Sequence, residues 1–372
     1  MVDLASVARA VVVSSLGVHR GERVWVHGWD HAVDLMSQLA MECGRAGAEV
    51  LLTVEPEELW LHSLLSSPLE SLEKLSGYQS SLLEETDVYI FTLGPRRPVP
   101  WQRIPPDRRK AASIWLDTRY DNSGFAAEWS AVAKRRGVRM LGVEATLATP
   151  ERAEDMGLDY ERWREAVYNG CLEDPVTILA RAKKLSGRLA GDENVHVTTP
   201  QGTALTFRLD RRALDLSEAL ATKDKANEGI ITFLPAGSIE VTIDEDSANG
   251  TLVFDQPILT PDGMMVRLNA QVDAGRVTSF SVAGPRKPFR KYLEADDNAG
   301  RLSFFGVGLN SKMRFGFAQD DKVLGGVVMG FGDNENKGGR IRANGKGWWG
   351  ALSKATVRIG NETVMRIGLL GA

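Results

Sequence analysis

Asp87-Val88-Tyr89-Ile90-Phe91-Thr92-Leu93 is an almost unbroken apolar, β-forming run. A strand with no polar alternation is buried on both faces, as inside a parallel sheet covered by helices. On its N-terminal side, Gly21 precedes Glu22-Arg23-Val24-Trp25-Val26-His27-Gly28-Trp29, a second strand rich in β-formers. Residues 31–46 then carry helical periodicity and stop at Gly47, a plausible C-cap, before a strand from Glu49 to Val54. On the C-terminal side, Ala112–Leu116 and Val138–Val143 read as further strands, with a helix around 124–136 between them. Residues 3–16 form an amphipathic helix at the start. This alternation of strand and helix predicts an open parallel sheet with helices on both faces.

The character changes after a helix at 172–190. Val195–Thr199, a Pro-Gln-Gly turn and Thr203–Leu209 read as a hairpin. Strands follow at Gly229–Leu234, Ser238–Ile243, Gly250–Phe254, Met264–Val272 and Arg276–Val282, then a helix at 288–298 and strands at 323–331 and 355–367. A length of 372 residues suits two domains. The expected fold is α/β: an N-terminal open parallel-sheet domain over 1–190 and a C-terminal β-rich α+β domain over 191–372. No internal repeat or low-complexity segment interrupts either.

Apolar residues make up 43% and charged residues 25%, as in an ordinary globular protein. A net charge of −4 gives no reason to expect nucleic acid or an anionic membrane as partner. The basic stretches Arg108–Lys110 and Arg286–Lys291 have mixed sign nearby and read as solvated faces. Cys43 and Cys171 form no metal or redox spacing, and reduced structural thiols fit a cytoplasmic protein. The N-terminus, with Asp3 and Arg9, reads as a helix rather than a signal peptide. No apolar stretch is long enough to span a membrane.

Histidines are confined to positions 19, 27, 31, 62 and 196. Beyond His196 the chain has neither His nor Cys, so a metal site there would be built from oxygen, which suits Mg²⁺, Ca²⁺ or Mn²⁺. His27 and His31 bracket the end of the first strand, where doubly wound sheets bind ligands. They could face one crevice, or be a loop and a helix-start histidine near Asp30. No GxSxG elbow and no Walker loop is present. Gly332-Asp333-Asn334-Glu335-Asn336-Lys337-Gly338-Gly339 reads equally as a turn or as backbone that could approach a ligand closely.

Four ordered segments carry a resemblance. They are Leu234-Pro235-Ala236-Gly237 continuing into Asp244–Asp255, then Phe304–Asn310, then Leu324–Asn334 with Gly338-Gly339, and Gly347-Trp348-Trp349. Together they resemble the thermophilic metalloprotease family of aminopeptidases, the AmpS, PepS and aminopeptidase T group. 2,5-Dihydroxypyridine 5,6-dioxygenase is also similar. The resemblance implies the two-domain fold, a homodimer and a two-metal peptidase centre.

At the positions where that family's pattern has its metal ligands, this chain has Ser238, Phe304, Val328, Gly347 and Trp349. Phe, Val and Gly offer no donor atom and Trp only an N–H, so the family's mechanism of metal-activated water has no ligands here. The expectation is therefore no metal and no cofactor. The cleft would be apolar and aromatic, lined by Phe304, Val328, Trp348 and Trp349. Its polar candidates are Ser238, Glu240, Asp333, Asn334, Glu335 and Lys346. Such a cleft is either a small-molecule pocket for a peptide-like or aromatic ligand, or a former site filled by core packing. A metal site relocated elsewhere is a third reading. An active metallo-aminopeptidase with its ligands elsewhere and a structural or regulatory pseudoenzyme are the competing functions. Phe304, Trp348 and Trp349 are expected to converge on one cavity.

Overall fold

The run at 87–93 is the middle of a parallel sheet, as its burial pattern demands. Strand β3 (Val88–Thr92) is buried at every position and lies between β1 (Arg23–Trp29) and β4 (Arg139–Val143). The computed structural model describes residues 2–111, 124–260, 263–283, 287–317, 319–343 and 347–371. Its first sheet runs β2-β1-β3-β4-β7, with β2 at Glu49–Glu55 and β7 at Thr232–Leu234. The chain goes outward from β1 to β2, then returns to β3 on the other side of β1, which is a doubly wound topology. Trp25, Tyr89 and Phe91 project from one face of the sheet and pack with Trp129 of the helix Gly124–Arg136. The Trp25–Tyr89 and Tyr89–Trp129 ring centres are 5.0 and 5.1 Å apart.

Local chemistry sets the helix ends. Asp3 accepts from the amides of Ala5 and Ser6 and starts the helix Leu4–Arg9, which continues as a wider π turn over Ala10–Ser15. Thr149 caps Pro150–Met156, and Gly157 ends it in the left-handed conformation that costs glycine least. Among the described residues no helix is long and apolar enough to cross a membrane.

The second sheet is antiparallel. Among the described residues it has 13 strands, nine of them in the order β15-β14-β13-β8-β6-β5-β16-β17-β18. These are β5 (Asn194–Thr198), β6 (Ala204–Ser217), β8 (Ser238–Ile243), β13 (Leu302–Gly308), β14 (Val327–Gly332), β15 (Gly347–Leu352), β16 (Thr356–Ile359), β17 (Glu362–Arg366) and β18 (Leu369–Leu370). β9 (Asn249–Phe254), β10 (Ile258–Thr260), β11 (Gly263–Asp273) and β12 (Arg276–Ala283) branch from β6. The first part of β6 pairs with β5 and β9. After an irregularity between Leu209 and Leu214, where Arg211 takes a φ of 46°, its second part pairs with β8.

The chain divides into two compact units, Met1–Pro175 with Ala219–Pro235, and Val176–Glu218 with Ala236–Ala372. This differs from a single cut after residue 190 in two places. The helix Pro175–Leu189 belongs almost wholly to the second unit, where Arg181 donates to the Leu309 carbonyl at 2.6 Å. The strand expected at 229–234 returns to the first unit, because β7 pairs in parallel with β4. Ala112–Leu116, expected as a strand, lies outside the described residues. Strands β13 and β15 were not legible as strands in the sequence.

Candidate functional site

Strands β8, β13, β14 and β15 carry most of the positions singled out above, and their register fixes which way each points. Glu240 lies opposite Gly306, Gly306 opposite Val328, and Val328 opposite Ala351. In the next row of the same face, Thr242 lies opposite Phe304, Phe304 opposite Gly330, and Gly330 opposite Trp349. Ser238 pairs with Gly308 and Gly347 with Gly332. Side chains alternate along a strand, so Ser238, Phe304, Val328, Gly347 and Trp349 all belong to one face.

Glycines make room on that face. A Cβ at Gly330 would sit 1.9 Å from the Phe304 ring, and one at Gly306 would sit 2.8 Å from Cγ of Glu240. Phe304 and Glu240 lie across the neighbouring strand rather than standing away from the sheet. Ser238, Glu240, Phe304 and Val328 are 5, 9, 8 and 0% exposed, and Trp349 is half-buried.

Trp348 points the other way. It stacks on Phe331 at 4.5 Å and 2°, and meets Phe254 and Phe289 edge-on at 5.6 and 4.8 Å. It is a half-buried member of an aromatic cluster of the second unit. The expected convergence of Phe304, Trp348 and Trp349 therefore fails for Trp348, because neighbours on a strand face opposite sides.

The segment after β14 is held by its own side chains. Asn334 is fully buried. Its Nδ2 donates to the Ser303 carbonyl at 3.1 Å, and its Oδ1 accepts from the Ile341 amide at 2.8 Å. Asp333 accepts from the amides of Glu335 and Ala343 at 3.2 and 2.9 Å. Glu335 is exposed and pairs with Arg342. These three residues shape the segment, and Lys346 lies outside the described residues. The other anchor is Glu245, which takes a bidentate pair from Arg212 at 2.8 and 2.9 Å and three bonds from Arg340.

Between the two anchors is a short 3-10 turn, Glu335–Lys337. Lys337 returns to the strand face. Its Nζ lies 2.7 Å from Glu240 Oε2, 2.7 Å from Asp215 Oδ2 and 5.2 Å from the Phe304 ring centre. Burial pushes the Glu240 carboxyl up, and the Lys337 ammonium partly offsets this. Burial works against the Lys337 charge, but Glu240 and Asp215 outweigh it and hold the amine above its ordinary range. Neither Lys337 nor Asp215 was singled out in the sequence. Asp215 joins Glu240 only through the β6–β8 register.

The donor set does not suit a dinuclear metal centre. Ser238 offers one hydroxyl among the five positions, and Glu240 is already paired with an ammonium. Among the described residues no group of three or more His, Cys, Asp or Glu is placed to hold a metal. The two histidines at the end of β1 also part company. His27 lies against Thr53 and Glu55 of β2, at 2.9 and 3.5 Å, while His31 reaches the Thr146 carbonyl beyond β4 at 3.1 Å. Both cysteines are buried thiols, and burial pushes the Cys43 thiol up to about 12.

The sequence matches the family described as thermophilic metalloprotease (M29) over residues 2–313. The chain belongs to the M29 family. Two solved structures share the M29 fold seen here. AmpT from Thermus thermophilus has 15% identity and a TM-score of 0.68, covering 99% of each chain. 2,5-Dihydroxypyridine dioxygenase from Pseudomonas putida KT2440 has 16% identity and a TM-score of 0.64, covering 99% of this chain and 97% of the other. No curated protein sequence matches the chain. Within this fold, Ser238, Phe304, Val328, Gly347 and Trp349 lie on one strand face.

Proposed function

We propose that this M29 chain works without the family's two-metal centre and that its altered strand face binds a small peptide-like or aromatic molecule. One observation carries the reading. Ser238, Phe304, Val328, Gly347 and Trp349 share a face on which the only donor among them is a hydroxyl, and the nearby carboxylate Glu240 is neutralised by Lys337. Water activation and oxyanion clamping by metal need deprotonated ligands. A face of Phe304, Val328 and half-buried Trp349 beside a few polar groups has the composition of a ligand surface.

Elemental analysis of protein purified without chelator tests the first half, together with hydrolysis of aminoacyl chromogenic substrates in added Co²⁺ or Zn²⁺. The expected result is no stoichiometric metal lost on mutating this face, and no metal-stimulated turnover. Chelator-sensitive turnover, with about one or more metal ions per chain lost on mutating this face, would overturn the proposal. The burial of Phe304 and Val328 favours one alternative, a face filled by packing in a protein with a structural role. The binding measurements below separate the two.

A further inference from the structure

We infer that Glu240, Asp215 and the face of Phe304 form a recognition site for a primary ammonium group, occupied from within by Lys337 and open to an external amine when the turn Glu335–Lys337 lifts. The inference rests on the reading of this face as a binding surface and names the chemical class it takes.

The groups converge as an ammonium requires. A tetrahedral –NH₃⁺ has three donors and no acceptor. Lys337 spends two of them on Glu240 and Asp215, both at 2.7 Å, with the Phe304 ring 5.2 Å from the nitrogen, inside cation–π range. Glu240 sits in the space left by Gly306, and Phe304 lies across Gly330. The two recognising side chains are thus placed by the strands and not by the lysine.

A second observation points to a ligand. Thr242 is 1% exposed, and its hydroxyl has no hydrogen-bond partner among the described residues. It follows Glu240 by two residues, so it shares the face, roughly 7 Å further along the strand. A buried hydroxyl without a partner is costly. An amine carrying a second hydrogen-bonding group at about that spacing would satisfy Glu240 and Thr242 together. Lys337 satisfies only the first.

The occupant is tethered so that it can leave. Asn334 and the Arg340–Glu245 pair hold the segment on either side. Between them the turn's own bonds are local: the Glu335 amide donates to Asp333, and the Lys337 and Gly339 amides donate to the Asn334 carbonyl at 3.0 and 2.9 Å. Its longer-range side-chain ties are Lys337 to the strand face, exposed Glu335 to Arg342, and Arg212 to the Gly338 carbonyl at 3.4 Å. Displacing the ammonium removes the turn's tie to the strand face without releasing its anchors.

Lys337→Ala tests the site, with n-butylammonium as probe and n-butanol as the uncharged control. The amine should raise the melting temperature of K337A saturably, and n-butanol should not. Because Lys337 competes in the parent, apparent affinity there should be at least about tenfold weaker, the factor expected when the competent state is a tenth populated or less. K337A combined with Glu240→Gln should lose the effect. No amine-specific shift in K337A, or an equal shift in the double variant, would overturn the inference. If K337A does not fold, amide exchange in the unmodified chain decides. Saturating n-butylammonium should speed exchange across residues 335–339, and unchanged exchange there would count against displacement. Neither readout depends on metal content or hydrolysis, so this inference and the metal-free reading can fail separately.

Discussion

Glu245 and Asp320 are both buried carboxyl groups, and their surroundings push them in opposite directions. Burial of Glu245 disfavours its charge, but Arg212 and Arg340 outweigh burial and bring the carboxyl down to about 2, from an ordinary 4.5. A lowered folded-state pKa contributes stability that is present above pH 4.5 and lost as pH falls toward 2. Glu245→Gln should cost about 3–5 kcal/mol at neutral pH, since it leaves two guanidinium groups without their shared anion. Denaturant titration at pH 7 measures the cost, and the acid limb should flatten in the variant. Asp320 accepts from the amides of Gly316 and Phe317, yet burial dominates and raises its carboxyl from 3.8 to about 7. A raised pKa contributes stability below pH 3.8 that is lost as pH rises through 7. Melting temperatures of Asp320→Asn and the parent should therefore diverge between pH 4 and 7, with the parent falling relative to the variant. A parallel pair of curves would contradict this assignment.

At the scale of the strand, β14 separates two environments within one β-hairpin neighbourhood. Trp348 is surrounded by Phe254, Phe289, Tyr292 and Phe331, whereas Trp349 shares the opposite face with Gly330 and Phe304. Trp348→Ala should cost roughly 3–5 kcal/mol, as for other large-to-small core truncations. Trp349→Ala should cost clearly less, because among the described residues no aromatic ring packs against it. Equal losses in thermal melts would mean that the face is as tightly filled as the core, and would favour the structural reading over the binding one. Gly330→Ala places a methyl group inside the Phe304 ring and should cost about 1–3 kcal/mol by overpacking. Its stability measured together with Phe304→Ala should show the two changes to be coupled, with a cost well below their sum.

For the whole molecule, the path of the chain matters more than the count of elements. It leaves the first unit near Pro175 and comes back over Ala219–Pro235. A fragment ending at residue 190 would lack β7 and leave β4, buried at every position, with a free edge. Such edges pair with other chains. The 1–190 fragment should aggregate, while 1–175 joined by a short linker to 219–235 should give a soluble, cooperatively melting domain. Light scattering and calorimetry on the two fragments check this.

What the sequence by itself determined is local in origin. The unbroken apolar run at 87–93 meant a doubly buried strand, the caps and periodicity placed the helices beside it, and the ordered segments from Leu234 to Trp349 carried the family. That Ser238, Phe304, Val328, Gly347 and Trp349 carry almost no metal-donor atoms was also legible, because donor chemistry belongs to the residue type. Only the tertiary structure decided that these five positions share one face, that Trp348 leaves it, that β7 closes the first sheet, and that Lys337 sits on Glu240. The physical reason is range. Strand register is fixed by packing far along the chain, and the ammonium of Lys337 meets Glu240 and Asp215 across 97 and 122 positions of sequence, a separation over which local propensity carries no information.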